Sequence, residues 1–224
     1  MRKKSDKYTF IVDFFSKTQP DVSSELNFGS AYELLVATML AAQCTDKRVN
    51  MVTPALFNAY PCVSDLAKAT EDDILSYIKS VSYPNSKARH LRQMAQMVVE
   101  EFEGEIPCEI DSLTKLPGVG RKTANVVLAF AFEQAAMPVD THVFRVSHRL
   151  GLVPDAANTP EKVEKELVKH FPKEYISKAH HWLLLHGRYI CTARKPHCEK
   201  CALATICDIA NRKSTLQQPI THNQ

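Results

Sequence analysis

Apolar residues recur at three- and four-residue intervals along almost the whole chain, the period of an amphipathic helix rather than a strand. Tyr8, Ile11, Val12 and Phe15 share one such face. Residues 31–42 are apolar on every side, which predicts a buried central helix. Thr70 with Asp73 predicts a capping pair ahead of a helix that carries Ile74, Leu75 and Ile78. Leu91, Met94, Ala95 and Val98 form the core stripe of another. Thr159-Pro160-Glu161 sets an N-cap, an N1 proline and first-turn acid in order, opening a helix to about His170. Gly151 should close a helix that begins near Thr141, and Ala179, Trp182, Leu183 and His186 line one more. With no convincing strand pair, repeat or low-complexity linker, the expected fold class is all-α.

Composition narrows the function classes. The chain has 224 residues, 45% of them hydrophobic and 24% charged, a globular balance that excludes general disorder. Six glycines and little residue alternation argue against a sandwich or barrel. The longest apolar run, Leu34 to Ala42, falls well short of the roughly 18 residues of a membrane span, so no membrane association is expected. The basic N-terminus is followed by Asp13 rather than a secretory apolar core, so a cytoplasmic location without a secretion signal is expected, nucleoid-associated if the source is bacterial. Net charge is only +3, but it is segregated. Residues 1–10 carry +3, residues 115–122 another +3 through Lys115, Arg121 and Lys122, and residues 188–200 a further +3 that includes Arg194 and Lys195. Each run reads singly as a solvated face; together they could offer a positive surface to a polyanion.

Two of these runs coincide with unusual motifs. Cys191, Cys198, Cys201 and Cys207 lie within 17 residues, spaced C-x6-C-x2-C-x5-C, where the chain average would supply about half a cysteine. Four thiols this close in a chain read as intracellular point to a metal rather than disulfides. Zinc suits four thiolates, but its sites usually join two short knuckles across a longer gap. A single C-x2-C with long arms in one loop can wrap a cubane iron–sulfur cluster, and the spacing favours that over zinc without excluding zinc. Cys44, Cys62 and Cys108 are scattered and read as small buried hydrophobes.

The segment 111–131 reads as a short capped helix, the break Pro117-Gly118-Val119-Gly120, then a longer helix. Glycines at such a turn let the backbone approach a surface closely and leave N–H groups unpaired at the next helix start. That N-terminus, reinforced by Arg121 and Lys122, is a ready phosphate site, and contact there would be blind to sequence. A tight structural turn in a bundle is the plain alternative.

Leu116 to Val127, Val139-Asp140-Thr141-His142 and the four spaced cysteines together closely resemble the endonuclease III branch of the helix-hairpin-helix DNA glycosylases. The likeness extends to Glu25-Leu26-Asn27-Phe28, Ala42-Gln43-Cys44-Thr45-Asp46, Asn85-Ser86-Lys87-Ala88 and His181-Trp182-Leu183, and covers about residues 24 to 207. It implies a two-lobed helical fold with a DNA cleft between the lobes. Residues 24–134 would form a six-helix barrel lobe holding the hairpin at about 111–131, and residues 1–23 with 135–211 a lobe holding one [4Fe–4S] cluster on the four cysteines. Residues 212–224 are expected to be a disordered polar tail. The partner would be double-stranded DNA with a damaged base or abasic site, and the protein a monomer. The activity implied is excision of oxidised pyrimidines followed by strand cleavage at the abasic site.

On that resemblance Lys122 would be the nucleophile. It must lose its proton to attack, which Asp140 would assist while stabilising charge on the sugar. Gln43 would insert into the duplex and the residue at position 83 would act as a wedge beside the extruded nucleotide. The family's bacterial members carry leucine-tyrosine before the Asn-Ser-Lys stretch, where this chain has Tyr83-Pro84. Gly118, Val119, Gly120 and Arg121 would face the DNA backbone, and Arg194 and Lys195 would touch phosphates from the cysteine loop. Asp46 matches the family and could equally be an N-cap contact. A monofunctional glycosylase would lack Lys122, a mere DNA-binding module would need neither Lys122 nor Asp140, and a zinc-stabilised regulator would be colourless.

Overall fold

The computed structural model describes residues 3–22 and 24–211, in which helices and turns account for the regular structure and there is no strand. The expected tail, 212–224, lies outside the described residues, as does Arg2 of the first basic run. The chain divides into two compact units, Ser24–Pro138 and the pair Met1–Ser23 with Val139–Gln224. No described helix is long and apolar enough to cross a membrane.

The unit formed by residues 24–138 contains α2 (Ala31–Ala41), α3 (Asp46–Ala59), α4 (Val63–Lys68), α5 (Glu71–Ile78), α6 (Pro84–Glu101), the single turn α7 (Ile110–Leu113) and α8 (Arg121–Phe130). Its core is a cluster of buried aliphatic side chains, with Leu34, Leu35, Leu40, Leu56, Leu66, Ile74, Ile78, Leu91, Met94 and Leu113 fully buried. The apolar run at 31–41 is buried from Leu34 to Leu40, as its all-round hydrophobicity requires. Thr70 and Asp73 form the reciprocal capping box that starts α5. Two expectations fail locally. α7 begins after Glu109 with no side-chain cap, so the helix before the hairpin is not capped. Cys44 is half-buried and Cys62 and Cys108 are exposed. Cys62 precedes α4 with its Sγ 3.0 Å from Asp65 Oδ2, and Cys108 lies in the segment leading into α7; both are places where the chain comes to the surface.

The other unit pairs the first helix, α1 (Lys4–Thr18), with α9 (Thr141–Leu150), α10 (Pro160–His170) and α11 (Ile176–Tyr189). The predicted face of α1 is buried: Phe15 stacks on Trp182, Tyr8 meets Phe171 edge-on, and the Tyr8 hydroxyl donates to Leu152 O. The Trp182 indole N–H donates to Gln19 O. Lys7, also buried, donates to Asp208 Oδ1 at 2.6 Å and to Leu150 O at 2.7 Å, closing a gap of 201 residues. Gly151 ends α9 in the left-handed region. α9 and α11 pack so closely that a Cβ on Gly187 would lie 2.9 Å from His142 Cβ.

Candidate functional site

In the unit spanning 24–138, the hairpin forms as expected. α7 leads through Leu116 and Val119, both buried, into α8, whose N-cap is Gly120. Val119 N–H donates to Leu116 O, so this residue builds the turn with both side chain and amide. Gly118 adopts φ +78°, and a Cβ there would stand 2.9 Å from His90 Cβ and 3.0 Å from Met39 Cε. Gly120 has an ordinary φ of −86° and open space where a Cβ would be. The first main-chain bond of α8 runs from Ala124 N–H to Gly120 O, and the N-cap Gly120 has no side chain with which to cap the N–H groups of Lys122 and Thr123 ahead of it. Lys122 is exposed and Arg121 half-buried. The face of α8 behind them, from Ala124 to Ala129, is buried, which fixes the direction of its N-terminus.

Gln43, Tyr83 and Gly118 meet at one cavity of about 220 Å³, lined also by Met39, Ala42, Ser86, Lys87 and His90. Both Gln43 and Tyr83 are in the left-handed region at φ 55°, and both are exposed, Tyr83 to 65%. Non-glycine residues held there are strained by about 1–3 kcal/mol and persist only where surrounding structure enforces them. Pro84 begins α6 immediately after Tyr83, so the ring stands at the tip of a helix. Asp46 is the first residue of α3; the cap itself is Thr45, whose hydroxyl accepts from Arg48 N–H.

In the other unit Asp140 caps α9, its Oδ1 accepting from Val143 N–H at 2.8 Å. The bond fixes the carboxylate at the helix start and occupies one of its oxygens. The four clustered cysteines line an apolar pocket together with Leu150, His186, Ile190, Pro196, His197, Ala204 and Ala210. Burial pushes the Cys201 and Cys207 thiols above the usual value, so thiolates there need a compensating positive ion. No three His, Cys, Asp or Glu side chains among the described residues gather as a mononuclear metal site would need.

Two arginines that sequence reasoning missed shape this region. Arg145 donates to Cys191 O and Gly187 O, and Arg149 donates to Thr192 O at 2.7 Å, Ala193 O at 2.8 Å and Cys191 Sγ at 3.4 Å. His186 Nε2 lies 3.5 Å from Cys201 Sγ, and burial lowers its pKa to about 4, keeping it neutral beside the sulfur. The spacing of Arg145 and Arg149, four apart on α9, marks one helix face but not what that face holds. Arg194 and Lys195 are exposed on the resulting loop, which the Thr192 hydroxyl ties to Lys195 O.

Residues 36–173 match the family described as HhH-GPD superfamily base excision DNA repair protein. An endonuclease III from Rickettsia felis is 45% identical over 201 residues, covering 90% of this chain and 93% of that protein. One from Escherichia coli K12 is 41% identical over 192 residues, covering 86% and 90%. A solved structure of a trapped endonuclease III–DNA covalent intermediate, an estranged-adenine complex, superposes with a TM-score of 0.86 at 40% identity, covering 96% of this chain and 100% of its own. A thermostable thymine-DNA glycosylase shares the fold, with a TM-score of 0.81 at 24% identity.

Proposed function

The chain belongs to the HhH-GPD superfamily of base excision DNA repair proteins, and we propose that it excises oxidised pyrimidines from duplex DNA and then cleaves the abasic site through a lysine Schiff base. The observation that carries this reading is the hairpin: Lys122 exposed at the uncapped start of α8, beside a glycine whose missing side chain nothing inside the protein requires. Gly118 is explained by its own backbone and by His90. Gly120, the N-cap of α8, has open space where a Cβ would stand, which leaves room for something outside to come close.

Phosphate oxygens would accept from the N–H groups at this helix start, where the helix dipole also favours negative charge. Lys122 Nζ, once deprotonated, attacks C1′ of the damaged nucleotide. The bond from C1′ to the base breaks and the base leaves with its electron pair, then takes a proton. Opening of the sugar leaves an iminium between Lys122 and C1′. That cation draws electrons from the C2′–H bond; a base removes the C2′ proton, the bond from C3′ to its phosphate oxygen breaks, and the strand is cut. Asp140 would receive a proton on its free oxygen and stabilise positive charge on the sugar during base loss.

Gln43 and Tyr83, rigid at one cavity, are suited to enter the space an extruded base leaves. A tyrosine there stacks on any base, where an aliphatic wedge would only fill volume. The four cysteines fit a [4Fe–4S] cluster: four thiols border one apolar cavity, and two of them are too buried to ionise easily unaided. The cluster would tie the segment 191–207 into one piece, and Arg145 and Arg149 would hold the loop that presents Arg194 and Lys195 to phosphate.

Borohydride trapping on a duplex with one oxidised pyrimidine tests the reading. Wild-type protein should form a covalent adduct that Lys122→Gln does not. Base release without an adduct would make the enzyme monofunctional and remove the role of Lys122; neither adduct nor release would sink the enzymatic reading itself.

A further inference from the structure

The two strained residues at the cavity of the 24–138 unit are not independent. Gln43 follows the C-terminus of α2 and Tyr83 precedes the N-terminus of α6, 40 positions along the chain, and one residue, Lys87, bonds to both places, with its side chain at the first and its backbone at the second. Lys87, buried in α6 with 8% of its surface exposed, sends its ammonium to Leu40 O at 2.7 Å and Ala42 O at 2.8 Å, the carbonyls just before Gln43. Its own backbone N–H donates to Tyr83 O at 3.1 Å. A second tie runs alongside: the Ser82 hydroxyl donates to Gln43 O at 2.7 Å.

A lysine is rarely buried this way. Burial disfavours its charged form, and what holds the charge in place is the negative end of the α2 dipole together with two carbonyls aimed at Nζ. Neither Gln43 nor Tyr83 needs a lysine to fill space; an apolar side chain would pack as well beside Met39 and Ala42. What only an ammonium supplies is a bond between the two turns.

We propose that Lys87 and Ser82 form a latch that holds Gln43 and Tyr83 at a fixed separation, so that they enter the duplex as one rigid pair when the damaged base is extruded. This rests on the reading of Gln43 and Tyr83 as duplex-inserting residues. Lys87 and Ser82 are positioning residues and touch no reacting atom. Their loss therefore affects the step in which a base must leave the stack, and spares a substrate whose base is already gone.

The experiment compares wild type, Lys87→Met, Ser82→Ala and Ser82→Thr on two duplexes of one sequence, one containing thymine glycol and one containing a preformed abasic site. Single-turnover base release and strand cleavage are measured on each, with 2-aminopurine next to the lesion reporting unstacking. Lys87→Met keeps the apolar stem and should slow base release by about tenfold or more, the worth of a charge-assisted hydrogen bond. The 2-aminopurine signal should fall with it, while cleavage of the abasic duplex stays within about twofold, and Lys87→Met should lower the maximal single-turnover rate of base release more than it raises the protein concentration that gives half of that rate. Ser82 is only half-buried, so Ser82→Ala should fold normally and show a smaller loss of the same kind, with Ser82→Thr restoring activity. Equal losses on both duplexes, or no loss of unstacking in either variant, would overturn the latch while leaving the enzyme's assignment intact. Wild-type protein that releases no base and cuts no abasic site would overturn the assignment and the latch together.

Discussion

The contrast between the two hairpin glycines can be turned into a measurement. Gly118→Ala forces a side chain into the left-handed region, which costs about 1–2 kcal/mol. It also places a Cβ 2.9 Å from His90 Cβ, an atom that cannot move without its helix, and 3.0 Å from Met39 Cε, which can swing away. Overpacking of that kind adds about 1–3 kcal/mol, so the substitution should remove about 2–5 kcal/mol in urea unfolding and lower the melting temperature by on the order of 10 °C. Gly120→Ala meets nothing within 4 Å and needs no unusual φ. It trades a slightly better N-cap for a less mobile unfolded chain, so stability should change by less than about 1 kcal/mol. A methyl above the start of α8 would, however, hold phosphate away from the N–H groups there. Losing one such charge-assisted contact weakens binding by about tenfold or more, read by fluorescence anisotropy with a duplex carrying a reduced abasic site. If Gly120→Ala destabilises as much as Gly118→Ala, or binds the duplex as tightly as wild type, the hairpin is a structural turn and not an interface.

Three further outcomes are expected. Lys7→Met leaves the Asp208 carboxylate and Leu150 O without their buried partner and should cost about 3 kcal/mol in urea unfolding; a loss under 1 kcal/mol would show the pair to be incidental. Burial lowers the pKa of His181 to about 4, against 6.5 when exposed, so between those pH values the unfolded chain binds the extra proton and the folded one does not. His181 should therefore account for about 3 kcal/mol of the stability lost as pH drops from 6.5 to 4; with His186 buried in the same way, His181→Phe should make that fall smaller without abolishing it, and an unchanged profile would refute it. Tyr83→Gly relieves a φ of 55° and should leave thermal stability unchanged or slightly raised while cutting base release from a damaged duplex, whereas loss of both together would mean Tyr83 is merely structural.

How much of this was legible in the sequence follows from how local each signal is. Helix starts that carry their own chemistry read correctly: the Thr70–Asp73 box and Thr159-Pro160 each act within one turn of backbone. So does Gly151, whose left-handed conformation ends α9. Pro54 is a breaker signal inside α3 that the sequence pattern alone cannot offset; tertiary packing of Val49, Val52 and Leu56 outweighs it. The exposure of Cys62 and Cys108 was misread because cysteine is buried on average, and averages say nothing of a loop end. The candidate site divides the same way. The hairpin and the four cysteines are contiguous and visible as spacing. The bonds that shape them are not: Lys87 reaches back 45 and 47 positions, and Arg149 reaches forward 42 to 44. Nothing in the one-dimensional pattern distinguishes such side chains from solvated charge.

The way the chain is threaded has a consequence for how the protein is made. Residues 24–138 form one compact unit in a single continuous stretch, whereas α1 buries its apolar face with residues that come more than 140 positions later. As the chain leaves the ribosome, the inner unit has all its parts long before α1 has any of its partners. α1 must then wait with Ile11, Val12 and Phe15 uncovered until α10 and α11 have been synthesised, and the Lys7–Asp208 pair can close only once Asp208 has emerged, 201 positions after Lys7. That interval makes the first helix the segment most in need of protection during birth, and its charged residues Lys4, Asp6, Asp13 and Lys17 are what keep it in solution meanwhile.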